Sequence, residues 1–327
     1  MAYALDELNF ESTIGKVGQI DNSRTIPVID LSDAESRREE ITEALWKAAT
    51  EVGFFQLKNH SIPLETIDKA FEQSEQFFAL SESDKQSVSL LEGQNAGWEY
   101  KGQVRPSTGT PDQKESYQVT LPKMEALWPD RTLLKDFKTD ILNMEYKAWQ
   151  LGMFILSCFS EKLGMEKDFF TSAHNRESKH YQSTLRLLHY LPLDEGYLPQ
   201  EGIWRAGAHT DFDCLTMVFQ RDGEGGLQAC PGKDAQGVQQ WTDVAPERGI
   251  ITCNIGDMLM RWSDDQLKST LHRVKMPEQP GNHKARYSMA FFCQANKDQV
   301  IEGARGKYAP MTAEEYLRHR IEANFSE

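Results

Sequence analysis

The stretch Gly207-Ala208-His209-Thr210-Asp211 leads shortly into Leu215-Thr216-Met217-Val218-Phe219, a His-x-Asp pair at the head of an alternating strand-like run. Residues two apart on an extended strand share a face, so His209 and Asp211 are expected to point the same way. A third donor must then arrive from elsewhere in the chain. Thr270-Leu271-His272-Arg273-Val274 offers one in another strand-like segment, and a closed barrel brings such distant strands together. Two imidazoles and a carboxylate can hold one face of a divalent iron and leave the other face open. Taken alone, a His-x-Asp pair is common by chance, and the same donor types also suit zinc, so a zinc hydrolase stays open at this point. Beyond the third donor, Arg286-Tyr287-Ser288 sets a guanidinium fork beside a hydroxyl, a combination that grips a carboxylate bidentately.

Working outward, the chain from Thr184 onward reads as short strands with turns between them. The segments are Leu185 to Leu191, Leu215 to Phe219, Gly226 to Ala229, Trp241 to Val244, Ile250 to Asn254, Met258 to Arg261, Thr270 to Val274 and Tyr287 to Cys293. Such a series suggests a double-sheet jelly roll, whose mouth is a natural ligand pocket. Upstream, Ile26 to Leu31 and Phe54 to Leu57 read as strands. A helical pattern from Arg37 to Val52 is closed by Gly53, and Pro63 opens a second helix carrying Ile67, Phe71, Phe77 and Phe78. Leu133 to Leu163 is the longest helical candidate and reads as a scaffold helix covering a sheet. Residues 92–122, rich in Gly and Pro, are expected to form a loop or broken ribbon that bears on the substrate. The expected fold is therefore α+β: a double-stranded β-helix, or jelly-roll, barrel buttressed by helices. Residues 1–125 read as an N-terminal region with a substrate loop. Residues 126–327 read as the helical buttress and barrel core, the two forming one compact unit.

Composition narrows the setting. A formal net charge of -14 argues against general affinity for nucleic acid or anionic membranes. No segment approaches the apolar length of a membrane span, and the first residues lack the basic start of a secretory leader. Five cysteines without close spacing do not read as a disulfide framework, so a cytoplasmic location is expected.

The flanking residues change the weight of the His-x-Asp pair. In order come Gly225-Gly226-Leu227-Gln228, Trp241, Asn254-Ile255-Gly256-Asp257, His272-Arg273-Val274 and Arg286-Tyr287-Ser288. Near the N-terminus stand Ile26-Pro27-Val28-Ile29-Asp30 and Gly53-Phe54-Phe55-Gln56-Leu57-Lys58-Asn59-His60. This series resembles the iron(II)- and 2-oxoglutarate-dependent dioxygenases of the isopenicillin N synthase-like family, over nearly the whole chain. The resemblance implies that His209, Asp211 and His272 bind iron(II). It implies that Arg286 and Ser288 hold the distal carboxylate of 2-oxoglutarate, that Tyr190 helps bind it, and that dioxygen is the second cosubstrate. The segment Leu185 to Pro192 departs from the family's common Asn-Tyr-Tyr-Pro pattern, with Leu188 where the asparagine stands. His189 neighbours the site but is not expected to ligate, and His60, His174, His180, His283 and His319 are expected to be exposed or structural.

The resemblance places Phe292, Phe212 and Arg186 against the substrate, with Arg105 and the region from Tyr308 to Phe325 closing over the mouth. Aromatic walls with arginines suit a small aromatic or polyketide-like metabolite. The outcome would be hydroxylation, or a rearrangement such as ring expansion to a tropolone, with release of succinate and carbon dioxide. The general look is that of a microbial or fungal secondary-metabolite tailoring enzyme. Two alternatives remain: an iron-dependent oxidase or cyclase of the same family that uses no 2-oxoglutarate, and a non-catalytic barrel that holds a small ligand.

Overall fold

Leu215, Met217 and Phe219 alternate with Thr216 and Val218, Ile251, Cys253 and Ile255 alternate with Thr252 and Asn254, and the two apolar sets stand opposite each other in an antiparallel pair. All six are buried. With a period of two, this puts one apolar face against covering helices and turns Thr216, Val218, Thr252 and Asn254 the other way. The computed structural model describes residues 5, 18–21, 23–91, 94–102, 111–194, 203–230, 239–277 and 283–325. In it those two strands are the middle of an eight-stranded sheet. Its order is β2 (Val28–Asp30), β3 (Phe54–Lys58), β11 (Ile251–Ile255), β8 (Leu215–Gln220), β13 (Arg286–Cys293), β6 (Thr184–Tyr190), β5 (Lys114–Val119) and β4 (Gly97–Tyr100). A second sheet faces it, in the order β1 (Gln19–Ile20), β10 (Gln240–Asp243), β9 (Leu227–Cys230), β12 (Leu271–Val274) and β7 (Ala206–His209). The two sheets make the jelly roll, and the site lies between them.

Helices α1 (Arg38–Glu51), α2 (Leu64–Phe78) and α4 (Phe137–Lys162) buttress the outer face of the large sheet, with the short α3 (Glu82–Gln86) between α2 and α4 in the chain and the short α5 (Phe169–Ala173) after α4. Phe77 of α2 stacks on Phe137 of α4 at 5.4 Å and meets Tyr117 of β5 at 4.5 Å. The long helix can approach β13 only because position 152 is glycine: a Cβ there would stand 2.5 Å from Cys293 Sγ. Gly53, which ends the α1 region, has φ +77, and a Cβ would lie 2.0 Å from the Lys268 carbonyl, so the left-handed turn into β3 requires it.

One local expectation changes. Met258 to Arg261 is not a strand; it lies in helix α6 (Asp257–Trp262). A short run in which Met258, Leu259 and Arg261 are all buried carries no period, so helix and core strand look alike in sequence. The Gly- and Pro-rich stretch 92–122 holds two strands, β4 and β5, paired antiparallel at the edge of the large sheet. Glycine and proline there punctuate the ribbon rather than abolish it. A small ribbon of β14 (Val300–Ile301) and β15 (Met311–Thr312) leads to the C-terminal helix α7 (Ala313–Phe325). Among the described residues, no helix is long and apolar enough to cross a membrane.

Candidate active site

His209 closes β7, and His272 of β12 stands directly across from it. A cross-strand pair of this kind brings side chains together on one face, and the two imidazole centroids are 4.3 Å apart. Asp211 sits beyond the strand end, in the turn between β7 and β8, not on an extended strand as its spacing suggests. Its carboxylate turns back to lie 3.8 Å from His209 Nε2 and 3.5 Å from His272 Nε2. One donor atom from each of the three falls within 4.8 Å of the others, and all three residues are buried.

The surroundings fix which atoms face inward. His209 Nδ1 lies 2.7 Å from the Gly207 carbonyl, and His272 Nδ1 lies 3.1 Å from the Thr270 carbonyl. A backbone acceptor at Nδ1 places the proton there and presents Nε2 as a lone-pair donor. Asp211 Oδ2 accepts hydrogen bonds from Thr216 Oγ1 (2.6 Å) and Asn254 Nδ2 (2.8 Å), which leaves Oδ1 as the less engaged oxygen. Thr216 Oγ1 also lies 3.1 Å from a carboxylate oxygen of Asp213. Complete burial, reinforced by the negative charge of Asp211, pushes the Asp213 carboxyl well above the usual range. Two Nε2 atoms and one carboxylate oxygen on one side form a donor set that fits a divalent iron.

One cavity beside the triad is lined by Arg286, Ser288, Tyr190, Leu188, Val218, Leu227 and Val274. The Arg286 guanidinium is buried, donates to Ser288 Oγ and to Gln220 Oε1, and lies 4.7 Å from the Tyr190 ring centroid. A cation at the closed end, apolar walls and metal donors at the mouth suit a short chain with a carboxylate at the far end. Leu188 contributes only an apolar surface, as its side chain dictates.

A second cavity opens on the other side of His209 and Asp211. Phe212, Phe292 and Arg186 line it together with Gln118, Glu99, Asn95, Gln294, Leu317 and Ile321. Arg186 lies 5.1 Å from the Phe292 ring centroid and donates to Asn95 Oδ1. Arg105 lies outside the described residues. His189 turns to the opposite face, where its Nδ1 meets Glu115 and its ring stacks on Tyr287. His174 is wholly buried beside the Phe170 carbonyl, and burial holds its imidazole down to about 4. Neither joins the donor cluster.

The residue that sequence reading passes over is Arg320. It is fully buried, pairs with Asp257, donates to Thr210 Oγ1 (3.2 Å) and lies 4.4 Å from the Phe212 ring centroid. The C-terminal helix thereby grips both neighbours of Asp211, while Leu317 and Ile321 wall the cavity. A signal exists: Ala313, Tyr316, Leu317 and Arg320 recur at helical spacing, so an arginine stands on the apolar stripe.

Comparison with known proteins agrees with this architecture. Residues 181–295 match the family model described as the 2OG-Fe(II) oxygenase superfamily, and residues 26–132 match the N-terminal region of non-haem dioxygenases in morphine synthesis. A 2-oxoglutarate-Fe(II) type oxidoreductase, hxnY of Emericella nidulans, is 30% identical, covering 81% of this chain and 79% of that one. Among solved structures, a full-length Neurospora crassa protein in complex with alpha-KG superposes with a TM-score of 0.80 at 29% identity, covering 94% of this chain and 98% of that one. The same Neurospora crassa protein with alpha-KG and thymine gives 0.80 at 28% identity, covering 94% of this chain and 99% of that one. The chain belongs to the 2OG-Fe(II) oxygenase superfamily. It is an oxidoreductase, a 2-oxoglutarate-dependent dioxygenase with iron(II) as its metal.

Proposed function

We propose that His209 and His272, through Nε2, and Asp211, chiefly through Oδ1, hold the iron, and that Arg286 and Ser288 bind the distal carboxylate of 2-oxoglutarate. The Tyr190 ring stacks on the Arg286 guanidinium and keeps the fork aimed into the pocket. The second cavity takes the substrate, a small aromatic or polyketide-like metabolite whose ring lies along Phe292 and whose polar groups face Arg186 and Gln118. The Neurospora crassa structure with thymine supports a small planar ring as the substrate class. The bound metal with 2-oxoglutarate and dioxygen supplies the oxidising power, and succinate and carbon dioxide are released. This chain's part is to orient the two organic molecules on adjoining sides of one metal position and to keep water out. Hydroxylation is the direct outcome; a substrate whose radical or cation rearranges would give ring expansion.

The single observation that carries this reading is the position of the triad. His209 and Asp211 line both cavities, so whatever they bind touches the carboxylate-binding pocket and the aromatic pocket at once. We further propose that residues 1–125 and 126–327 work as one unit, since β2 to β5 complete the sheet that carries Arg286. Five buried free cysteines suit a reducing, cytoplasmic setting.

The test is anaerobic addition of iron(II) and then 2-oxoglutarate, read by the visible charge-transfer band of the keto acid on iron. Candidate phenolic, polyketide and nucleobase metabolites are then added. A band that forms and shifts with one ligand class, followed by succinate release in air, supports the reading. Oxygen consumption without 2-oxoglutarate turnover would move the enzyme to the oxidase branch of its family.

A further inference from the structure

Lys114 is a buried cation that the assignments above leave without a role. Across β5, β6 and β13, Lys114 stands opposite Tyr190, and Tyr190 stands opposite Arg286. Directly opposed residues share a face of the sheet, so these three form one row across the closed end of the barrel. Lys114 lines the same cavity as Arg286, Ser288 and the triad. Its ammonium pairs with the Asp112 carboxylate, and Asp112 Oδ1 accepts a hydrogen bond from Gly207 N at 3.0 Å, two residues before His209.

A lysine ammonium carries a full positive charge and three N–H donors, which suits it to serve more than one carboxylate. Positive charge also gathers at this end of the cavity. Arg205, itself buried, is pushed down to about 10, first by desolvation and then by the charge of Arg286. Of the carboxylates here, Asp112 pairs with Lys114, and Glu224 accepts from Tyr287 N. A pocket end built this way is matched to an incoming anion.

We propose that Lys114 is a second cationic anchor for the distal carboxylate of 2-oxoglutarate, donating from the β5 side while Arg286 binds from the β13 side. The proposal rests on the reading of this cavity as the cosubstrate pocket. Lys114 keeps its contact with Asp112, so the same ammonium ties the cosubstrate to the segment that carries His209. Selectivity for a dicarboxylic keto acid then comes from two strands rather than from one arginine.

The experiment compares 2-oxoglutarate with 2-oxopentanoate, which has the same keto-acid head and no distal carboxylate. Both are titrated anaerobically into the iron-loaded full chain, and the charge-transfer band gives each dissociation constant. Lys114→Met leaves Asp112 buried without its cation and can unfold the chain, so Lys114→Met/Asp112→Asn is measured beside it. Loss of a charge-assisted hydrogen bond should weaken 2-oxoglutarate roughly tenfold or more, while 2-oxopentanoate binding stays near its wild-type value. Equal weakening of both acids, or unchanged preference for 2-oxoglutarate in the double variant, would show that Lys114 only neutralises Asp112 and would overturn the proposal. If the wild-type chain gives no band with either acid, the cosubstrate reading itself falls, an outcome distinct from failure at Lys114 alone.

Discussion

The two cavities that meet at the metal position are built in different ways. The proposed cosubstrate side is made by neighbouring strands in strict register: Arg286 opposite Tyr190, and Ser288 opposite both Leu188 and Gln220. The proposed substrate side shares Arg186 and Phe292, from β6 and β13, with the first cavity and adds an edge ribbon, a turn and a terminal helix. Glu99 and Gln118 come from β4 and β5, Phe212 from the turn after β7, and Leu317 and Ile321 from α7. Strands inside a sheet cannot move without breaking their ladders, whereas edges, turns and helix packing tolerate change. On the proposed reading, the added elements rather than the shared strands are where selectivity can vary.

The largest effect should come from the shared boundary. His209→Ala or Asp211→Ala should reduce iron-dependent turnover to background while the far-ultraviolet spectrum stays that of a folded chain. Near wild-type turnover would remove either residue from the ligand set. Asn254→Ala, which frees Asp211 Oδ2 from one of its two donors, should weaken metal affinity by roughly 10- to 100-fold. Acid should weaken iron binding in every case, because protons compete for the three ligands.

Next in size is the buried pair that fastens the substrate wall. Arg320→Met strands the Asp257 carboxylate in a site where both side chains are almost completely buried. Breaking such a pair costs about 3–5 kcal/mol, so the melting temperature should drop, and Arg320→Met/Asp257→Asn should recover part of it. Because α7 touches the second cavity and not the first, substrate KM should rise more than the 2-oxoglutarate KM. Equal rises would mean that the helix supports the whole site and that the two sides are not separable.

Arg286→Ala tests the rigid wall. It should raise the 2-oxoglutarate requirement by roughly 10- to 100-fold, the worth of hydrogen bonds to a charged group. An unchanged requirement would take Arg286 out of the cosubstrate pocket.

The same division explains what can be read from the residues alone. The triad and the Arg286–Ser288 pair lie in short strand motifs whose order is preserved along the chain, and strand alternation decides their facing. Asp211 belongs to the cluster its motif implies but sits on a different element, because two-residue spacing looks the same at a strand end as within a strand. Met258 to Arg261 offers no periodicity to separate helix from strand. Arg320 and Gln118 meet the site only after distant elements pack. Nothing in the local pattern around Gln118 marks it, although the apolar stripe of α7 does mark Arg320. Pairing of β5 with β6 is hidden by the glycines and prolines around it, so the row of Lys114, Tyr190 and Arg286 emerges only from the register.

The smallest effect separates the walls most cleanly. Gln118 is buried, its Nε2 donates to Glu99 Oε1 at 3.0 Å, and its Oε1 has no hydrogen-bond partner among the described residues. Donation to a carboxylate fixes the amide orientation, so the unmatched atom is an acceptor on a residue that lines the second cavity. Gln118→Met fills nearly the same space and removes that acceptor, which should cost the fold little. If the substrate brings an N–H or O–H donor to this wall, its KM should rise by about 2- to 10-fold, the value of one neutral hydrogen bond. The 2-oxoglutarate KM should stay constant, since Gln118 does not line the first cavity. A substrate KM that does not move would turn the ring's polar edge away from β5 and towards Arg186. A 2-oxoglutarate KM that moves with it would show that the two walls are coupled through β5, which carries both Gln118 and Lys114.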